Sequence, residues 1–252
     1  SLNLAISAGE NARRWLVCSL VLCAAAIVRP TGLAVAAAFV VTLFITSTRQ
    51  ARVRLAGAFG IGVALLTVPV VIQNWRTSGV PMIQAYGGMN VYLGNRPSGD
   101  GGARARLGGE WDRLEGEAGR HASTRADVDR YYLGKAFAEI AARPAAYAGL
   151  LLSKTAWALQ DEELRDTHSY YFFVEQWPPL RFLPSFGWLL GLAVAGVMAS
   201  RSADRAWLFA YGLAVMATIV FLVLGTRYRI PLVPVTAMFA GAGLAAMIEH
   251  AR

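Results

Sequence analysis

The sequence predicts an all-α integral membrane fold: a polytopic helical bundle of about six spans with one large extracytoplasmic loop domain that itself contains helices. Three observations predict it. Hydrophobic residues make up 56 % of the 252 positions and charged residues only 16 %, against a charged share of about 25 % in soluble globules. The apolar residues fall in long runs separated by short basic connectors. The charges also divide by place: Asn74 to Phe182 holds 13 Lys plus Arg and 13 Asp plus Glu, whereas the remainder holds 11 arginines and three acids, Glu10, Asp204 and Glu249. The net +8 therefore comes from arginines that border apolar runs, which is a membrane-topology pattern and not a nucleic-acid-binding face.

Residues 1–73 read as three spans. Trp15 to Val28 is apolar over only 14 residues, then Arg29-Pro30-Thr31-Gly32 interrupts, and Leu33 to Thr48 is apolar again. Pro30 and Gly32 suit a tight turn, so this pair reads as a helical hairpin with Arg29 at its tip and with spans that extend through their flanks. Arg49, Arg52 and Arg54 follow, and Leu55 to Gln73 is long enough for a third span. Cys18 and Cys23 are five apart inside an apolar run, on different faces of a helix, and read as packing residues. A start at Ser1 with no initiator Met and no signal-peptide order of regions points to the C-terminal portion of a longer protein.

Residues 74–182 read as the extracytoplasmic loop domain. It opens with Asn74-Trp75-Arg76-Thr77-Ser78-Gly79-Val80-Pro81, passes through Gly87-Gly88-Met89-Asn90-Val91-Tyr92-Leu93-Gly94-Asn95-Arg96-Pro97, and turns Gly- and Arg-rich to Gly109. Asp127 to Ala142 has helical spacing, with Val128, Tyr131, Tyr132, Ala136, Phe137 and Ile140 near one face. Pro144 stops that helix or starts the next. The stretch near 146–160 is apolar but broken by Lys154, and reads as an interfacial helix rather than a span. Residues 183–252 supply three further spans: Leu183 to Ser200, Trp207 to Leu224 and Leu232 to Ile248.

The positive-inside rule orients the bundle. Arg13, Arg14, Arg49, Arg52, Arg54, Arg201, Arg205 and Arg252 fall on one side, and Arg29, Arg227 and Arg229 on the other. The eight are assigned to the cytoplasm, so the long loop, the Arg29 turn and the Arg227-Tyr228-Arg229 turn share the outer face of a multi-pass plasma-membrane protein.

Three arginines on the minority side call for a cause. Arg227, Tyr228 and Arg229 stand between two apolar runs, where an interfacial anchor is the bland reading. The functional reading is an anion site, since two guanidiniums two residues apart on a turn can clamp a phosphate with charge-assisted, fork-shaped hydrogen bonds. Arg29 and Lys154 are further candidates for the same phosphate. Glu162, at the exit of the interfacial helix, can take a sugar hydroxyl or a divalent cation, or form part of a solvated acidic end, Asp161-Glu162-Glu163. Asn90, Tyr92, Gly94 and Asn95 read either as turn residues or as an aromatic with flanking amides that suits a sugar, with Tyr86 as a second stacking ring. His121, His168 and His250 show no ligand spacing, and no P-loop, dinucleotide fingerprint, nucleophile elbow or zinc pattern occurs.

These residues carry a resemblance. Arg227-Tyr228-Arg229-Ile230-Pro231-Leu232-Val233-Pro234 is similar to the Arg-Tyr-Arg-x-Pro-x-x-Pro pattern of bacterial GT-C glycosyltransferases related to the protein mannosyltransferases. Asn74 to Gly79, followed by Gly87-Gly88-x-Asn90-x-Tyr92-x-Gly94-Asn95, resembles the opening of the same enzymes' external loop, departing from it at Trp75-Arg76, where the pattern has an Arg before the Asn. Arg29-Pro30-Thr31-Gly32 matches a third block. The resemblance implies transfer of a sugar from a polyprenyl-phosphate donor to a lipid, glycan or protein acceptor at the outer face of a bacterial inner membrane, with no obligatory cofactor. It also implies that the acid deprotonating the acceptor lies in a loop upstream of Ser1, so that this chain alone is inactive. A flippase or transporter of an anionic lipid or metabolite, a diphosphate-linked oligosaccharide ligase and a non-catalytic partner subunit are the competing readings; span-end arginines and a long polar loop favour surface chemistry over passage.

Overall fold

Asn11 begins the first described helix by accepting the Arg13 and Arg14 backbone N–H groups on its side-chain oxygen, at 3.0 and 3.3 Å, the usual service of an N-cap asparagine. The computed structural model describes residues 11–28, 31–78, 81, 83, 87–97, 99, 109–162, 170–200, 205–222 and 226–252. Among them every regular element is helical and there is no strand.

Helix α1 (Ala12–Val28), α2 (Thr31–Thr46) and α3 (Arg49–Ser78) form the first packed unit. Trp15, Cys18 and Leu22 of α1 meet Phe39 and Leu43 of α2 and Leu55 and Phe59 of α3, all essentially without solvent access. Helix α1 can lie close to α3 because Gly62 has no side chain: a Cβ there would stand 1.8 Å from the Ser19 hydroxyl oxygen. Cys18 and Cys23 are buried thiols, not joined in a disulfide, which agrees with their reading as packing residues. The Arg29 hairpin tip lies outside the described residues.

At 30 residues α3 is longer than the apolar run Leu55–Gln73 that marks it in the sequence. It spans about 45 Å, because the basic residues before the run and Asn74 to Ser78 after it carry nothing that breaks a helix; hydropathy reports only the apolar middle. Pro69 sits inside it. The first five residues of the polar stretch thus continue α3, and Asn74 Nδ2 donates to the Ile83 carbonyl at 3.1 Å.

The loop stretch folds as a small bundle of α4 (Gly87–Asn95), α5 (Gly109–His121) and α6 (Arg125–Ala142), continued by α7 (Pro144–Leu159). Thr124 caps α6: its hydroxyl accepts the Asp127 N–H at 3.2 Å and donates to the Asp127 carboxylate at 2.6 Å. That bond to Thr124 is the main reason the Asp127 carboxyl lies below its ordinary value. Pro144 opens α7 at the first helical position, where a missing N–H costs nothing. The bundle's core is Met89, Tyr92, Leu93, Leu114, Ala118, Tyr132 and Ala136. Gly87 to Asn95 is helical where the residue types alone also suited a turn. Gly88 makes the close approach possible, since a Cβ on it would lie 2.0 Å from the Asp129 carbonyl oxygen, and its N–H is held by the Asp129 carboxylate at 2.6 Å.

The C-terminal part comprises α8 (Tyr170–Gln176), a 3-10 turn (Pro178–Phe182), α9 (Phe186–Ala199), α10 (Arg205–Phe221), one helical turn (Thr226–Arg229), a 3-10 turn (Ile230–Leu232) and α11 (Val233–His250). Helices α9 and α11 cross through two glycines. A Cβ on Gly196 would stand 1.7 Å from the Phe239 carbonyl oxygen, and one on Gly243 2.2 Å from that of Leu192; small residues at such crossings let backbones touch. Helix α10 bridges the two units: Trp207 packs against Trp15 at 5.2 Å and Phe39 at 5.7 Å between ring centroids, and Phe209 against Phe239 of α11 at 5.4 Å. Among the described residues three helices are long and apolar enough to cross a membrane: Ala51–Thr77, Pro178–Ala199 and Ile230–His250. Gly32–Thr46 and Arg205–Phe221 are apolar but shorter.

Candidate functional site

Three of the polar residues singled out by the sequence, Lys154, Asn95 and Arg229, lie at the end of the bundle where α10 finishes and α11 begins, in two nodes linked by α7. The first surrounds Lys154 and Asn95, which are 0 % and 1 % exposed. The Lys154 ammonium donates to the Gly94 carbonyl at 3.0 Å, and to Asn95 Oδ1 and the Leu222 carbonyl at 3.4 Å each. Asn95 Nδ2 donates to the Phe221 carbonyl at 2.9 Å and the Leu222 carbonyl at 3.3 Å, while Tyr147 donates its hydroxyl to Asn95 Oδ1 at 3.4 Å. The last carbonyls of a helix lack partners of their own, and a cation there also meets the negative end of the helix dipole. Lys154 and Asn95 together therefore cap α10. Burial pushes the Lys154 ammonium down to about 8.

The second node surrounds Arg229, which is 5 % exposed. Its Nη1 donates to the Gln160 carbonyl at 2.5 Å, so Arg229 does for the end of α7 what Lys154 does for the end of α10. Its guanidinium carbon lies 4.6 Å from the centroid of the Phe186 ring, a cation–π contact out of water. The neighbouring Asp161 carboxylate accepts the Gly187 N–H at 2.7 Å and so caps α9. That bond, then the Ser185 hydroxyl and the positive charge of Arg229, hold the Asp161 carboxyl below its ordinary value.

From this node an apolar groove of about 360 Å³ runs between α9 and α10 over α11. Leu159, Phe186 and Leu232 lie at its Arg229 end, and Met198 and Leu208 at the other. The distance from Phe186 to Met198 along α9 is about 18 Å. Its floor is the core in which Ala193 of α9, Leu208 of α10 and Val235 and Phe239 of α11 pack together. A second cavity, of about 240 Å³, sits in the loop bundle among Met89, Glu115, Arg125 and Asp129.

The nine predicted site residues fare differently. Arg229, Lys154 and Asn95 come together at one end of the helices through α7, and Tyr228 packs against the first unit's core. Tyr92 places its ring in the loop-bundle core, 5.2 Å from that of Tyr132, with its hydroxyl donating to Glu139 at 3.3 Å. Asn90 is exposed on α4 and Glu162 exposed beyond α7. Arg29, and with it Tyr86 and Glu163, lies outside the described residues; Arg227 is described only as part of its helical turn. Among the described residues no three His, Cys, Asp or Glu side chains assemble a metal site.

Sequence reading missed Gln160, Asp161, Tyr147 and Phe186. Only Phe186 left a usable signal, as the first apolar residue after the helix-start sequence Pro184-Ser185. Comparison with family models, curated proteins and solved structures found no match.

Proposed function

We propose that this chain is the membrane portion of a GT-C-type glycosyltransferase that moves a sugar from a polyprenyl-phosphate donor to an acceptor at the outer face of a bacterial inner membrane. One observation carries the reading: a buried guanidinium, Arg229 on the Phe186 ring, stands at the head of an apolar groove. A cation at the end of a hydrocarbon-lined trough matches an amphiphile with an anionic head and a long apolar chain. The Arg-Tyr-Arg-x-Pro-x-x-Pro pattern on which Arg229 sits supports the same choice. In this reading six spans cross the bilayer, the three membrane-length helices being completed by α1, α2 and α10 through their flanks.

The chemistry divides between present and absent residues. The acceptor oxygen attacks the anomeric carbon, the bond from that carbon to the phosphate oxygen breaks, and the polyprenyl phosphate leaves with the electron pair. Arg229 and Arg227 stabilise the charge that develops on the departing phosphate, with Arg29 on the same face. Lys154 and Asn95 act by positioning: they hold the end of α10, from which the Arg227-Tyr228-Arg229 turn hangs. Asn90 and Glu162, both exposed, are left to meet sugar or acceptor hydroxyls. The acceptor's proton goes to a carboxylate base that is none of these residues.

The test is transfer by the full-length protein in proteoliposomes with a polyprenyl-phosphate-linked sugar. Arg227→Ala and Arg229→Lys, the latter keeping the charge but not the fork, each lower turnover about tenfold or more, with unchanged yield of folded protein. Unchanged turnover in both overturns the phosphate clamp.

A further inference from the structure

The segment between the loop bundle and α9 carries a surface that the proposed reaction does not use. Tyr170, Tyr171, Phe172 and Phe173 are four successive aromatics on α8, and at 100° per residue they surround the helix. None of α8 is buried in the chain. A helix apolar on every side is normally covered on every side, yet Phe172 is 56 % exposed, Trp177 68 % and Phe182 89 %. Adjacent rings meet edge-on, Tyr170 with Tyr171 at 5.7 Å and Phe172 with Phe173 at 5.7 Å, so the surface is an ordered aromatic face.

Its position follows from three short links. Tyr170 donates its hydroxyl to the Leu180 carbonyl at 3.4 Å, which folds α8 back along the 3-10 turn. Trp177 and Leu180 continue that fold through backbone bonds to Phe173 and Trp177 at 2.8 and 3.0 Å. The 3-10 turn is itself the first part of the membrane-length stretch Pro178–Ala199. The aromatic face therefore joins the N-terminal end of that stretch without a break, and Trp188, 74 % exposed, continues it onto α9.

We propose that Tyr170 to Phe182 is a membrane-interface collar: α8 and the 3-10 turn lie in the headgroup–acyl boundary at the N-terminal end of α9. The occupant of the aromatic face is lipid. Continuity with Pro178–Ala199 selects lipid over a soluble partner, because whatever covers the exposed flank of α9 at Trp188 and Val194 must also meet the collar. The composition agrees, since Tyr and Trp concentrate where one end of a ring is apolar and the other wet. The exposed Arg181 at the same level meets phosphate headgroups. The collar rests on the membrane assignment of α9 but on neither the donor nor the transfer reaction.

The experiment is depth measurement by spin labelling of the full-length protein in phosphatidylcholine–phosphatidylglycerol vesicles, with Cys18 and Cys23 replaced by alanine. Single labels are placed at Phe172, at Phe173, at Val194 as a mid-helix reference, and at Arg130, a well-exposed residue of α6, as an aqueous reference. Oxygen and a water-soluble nickel chelate compete as relaxants. The expected result is oxygen-dominated relaxation at Val194 and labels at Phe172 and Phe173 about 5–10 Å below the headgroup boundary. Nickel accessibility at Phe172 and Phe173 equal to that at Arg130 overturns the collar while leaving α9 in the bilayer. Labels shielded from both relaxants with broadened, immobilised spectra also overturn it, in favour of a protein partner or a second copy. Nickel-dominated relaxation at Val194 overturns the membrane assignment itself, and the collar with it.

Discussion

Asn95 on α4 donates its side-chain amide to the carbonyl of Phe221 at 2.9 Å, a contact between residues 126 positions apart in the chain. It ties the loop bundle to the end of α10 and closes a shell of carbonyls around Lys154. The loop stretch is therefore joined to the helical bundle by buried polar bonds at a helix terminus, the one place on a helix where backbone groups need outside partners.

Asn95→Leu strands the Phe221 carbonyl in a buried setting and leaves that of Leu222 to Lys154 alone. It destabilises the protein by about 1–3 kcal/mol, read as a lower thermal midpoint in detergent. A midpoint equal to that of the wild type would mean that these carbonyls find other partners.

Lys154 makes stability rise with pH over a defined window. Its folded value, about 8, is below its ordinary one, so between the two the unfolded chain holds a proton that the native chain has shed. Stability is linked to that difference and increases as pH rises through the window. In Lys154→Met this component is absent, and the gap between the two denaturation curves changes from about pH 7 to about pH 10. Parallel curves would refute the assignment.

Asp161 acts in the same direction, with stability rising with pH, but in the acid range. Its folded value is lowered, chiefly by the Gly187 N–H, so its stabilisation is present above the ordinary carboxylate range of about 4 and is lost as pH falls through the lowered value. Asp161→Ala removes a cap of α9 at a cost of about 1 kcal/mol, and Asp161→Asn restores most of it. The alanine penalty shrinks in acid, which denaturation midpoints at neutral and acid pH check.

Two glycines of similar sequence context behave differently. Gly196→Ala drives a Cβ into the Phe239 carbonyl, at 1.7 Å, and neither backbone can yield; the variant loses about 1–3 kcal/mol or fails to pack α9 on α11. Gly241, with nothing within 4 Å of its Cβ position, accepts alanine with a gain of about 0.5–1 kcal/mol from helix propensity. Thermal midpoints in one detergent compare the two directly.

The sequence by itself determined the helical class, the apolar stretches, the balanced polar excursion and the helices over 127–142 and near 146–160. Those features rest on local composition and period, which a chain carries whatever it folds against. It also marked Arg229, Lys154 and Asn95, because a charge beside an apolar run or an amide within a glycine-rich turn is costly enough to stand out. Only the tertiary structure decided what those groups touch. Lys154 and Asn95 meet α10 across about seventy and more than a hundred residues, and no periodicity encodes such a separation. Tyr92 shows the same limit: its neighbours within α4 suggested a sugar platform, and the chain's return as α6 supplied Tyr132 and Glu139 instead. The groove beside Arg229 is tertiary in origin as well, since its lining comes from α9, α10 and α11 and from Leu159 at the end of α7, elements far apart in the chain.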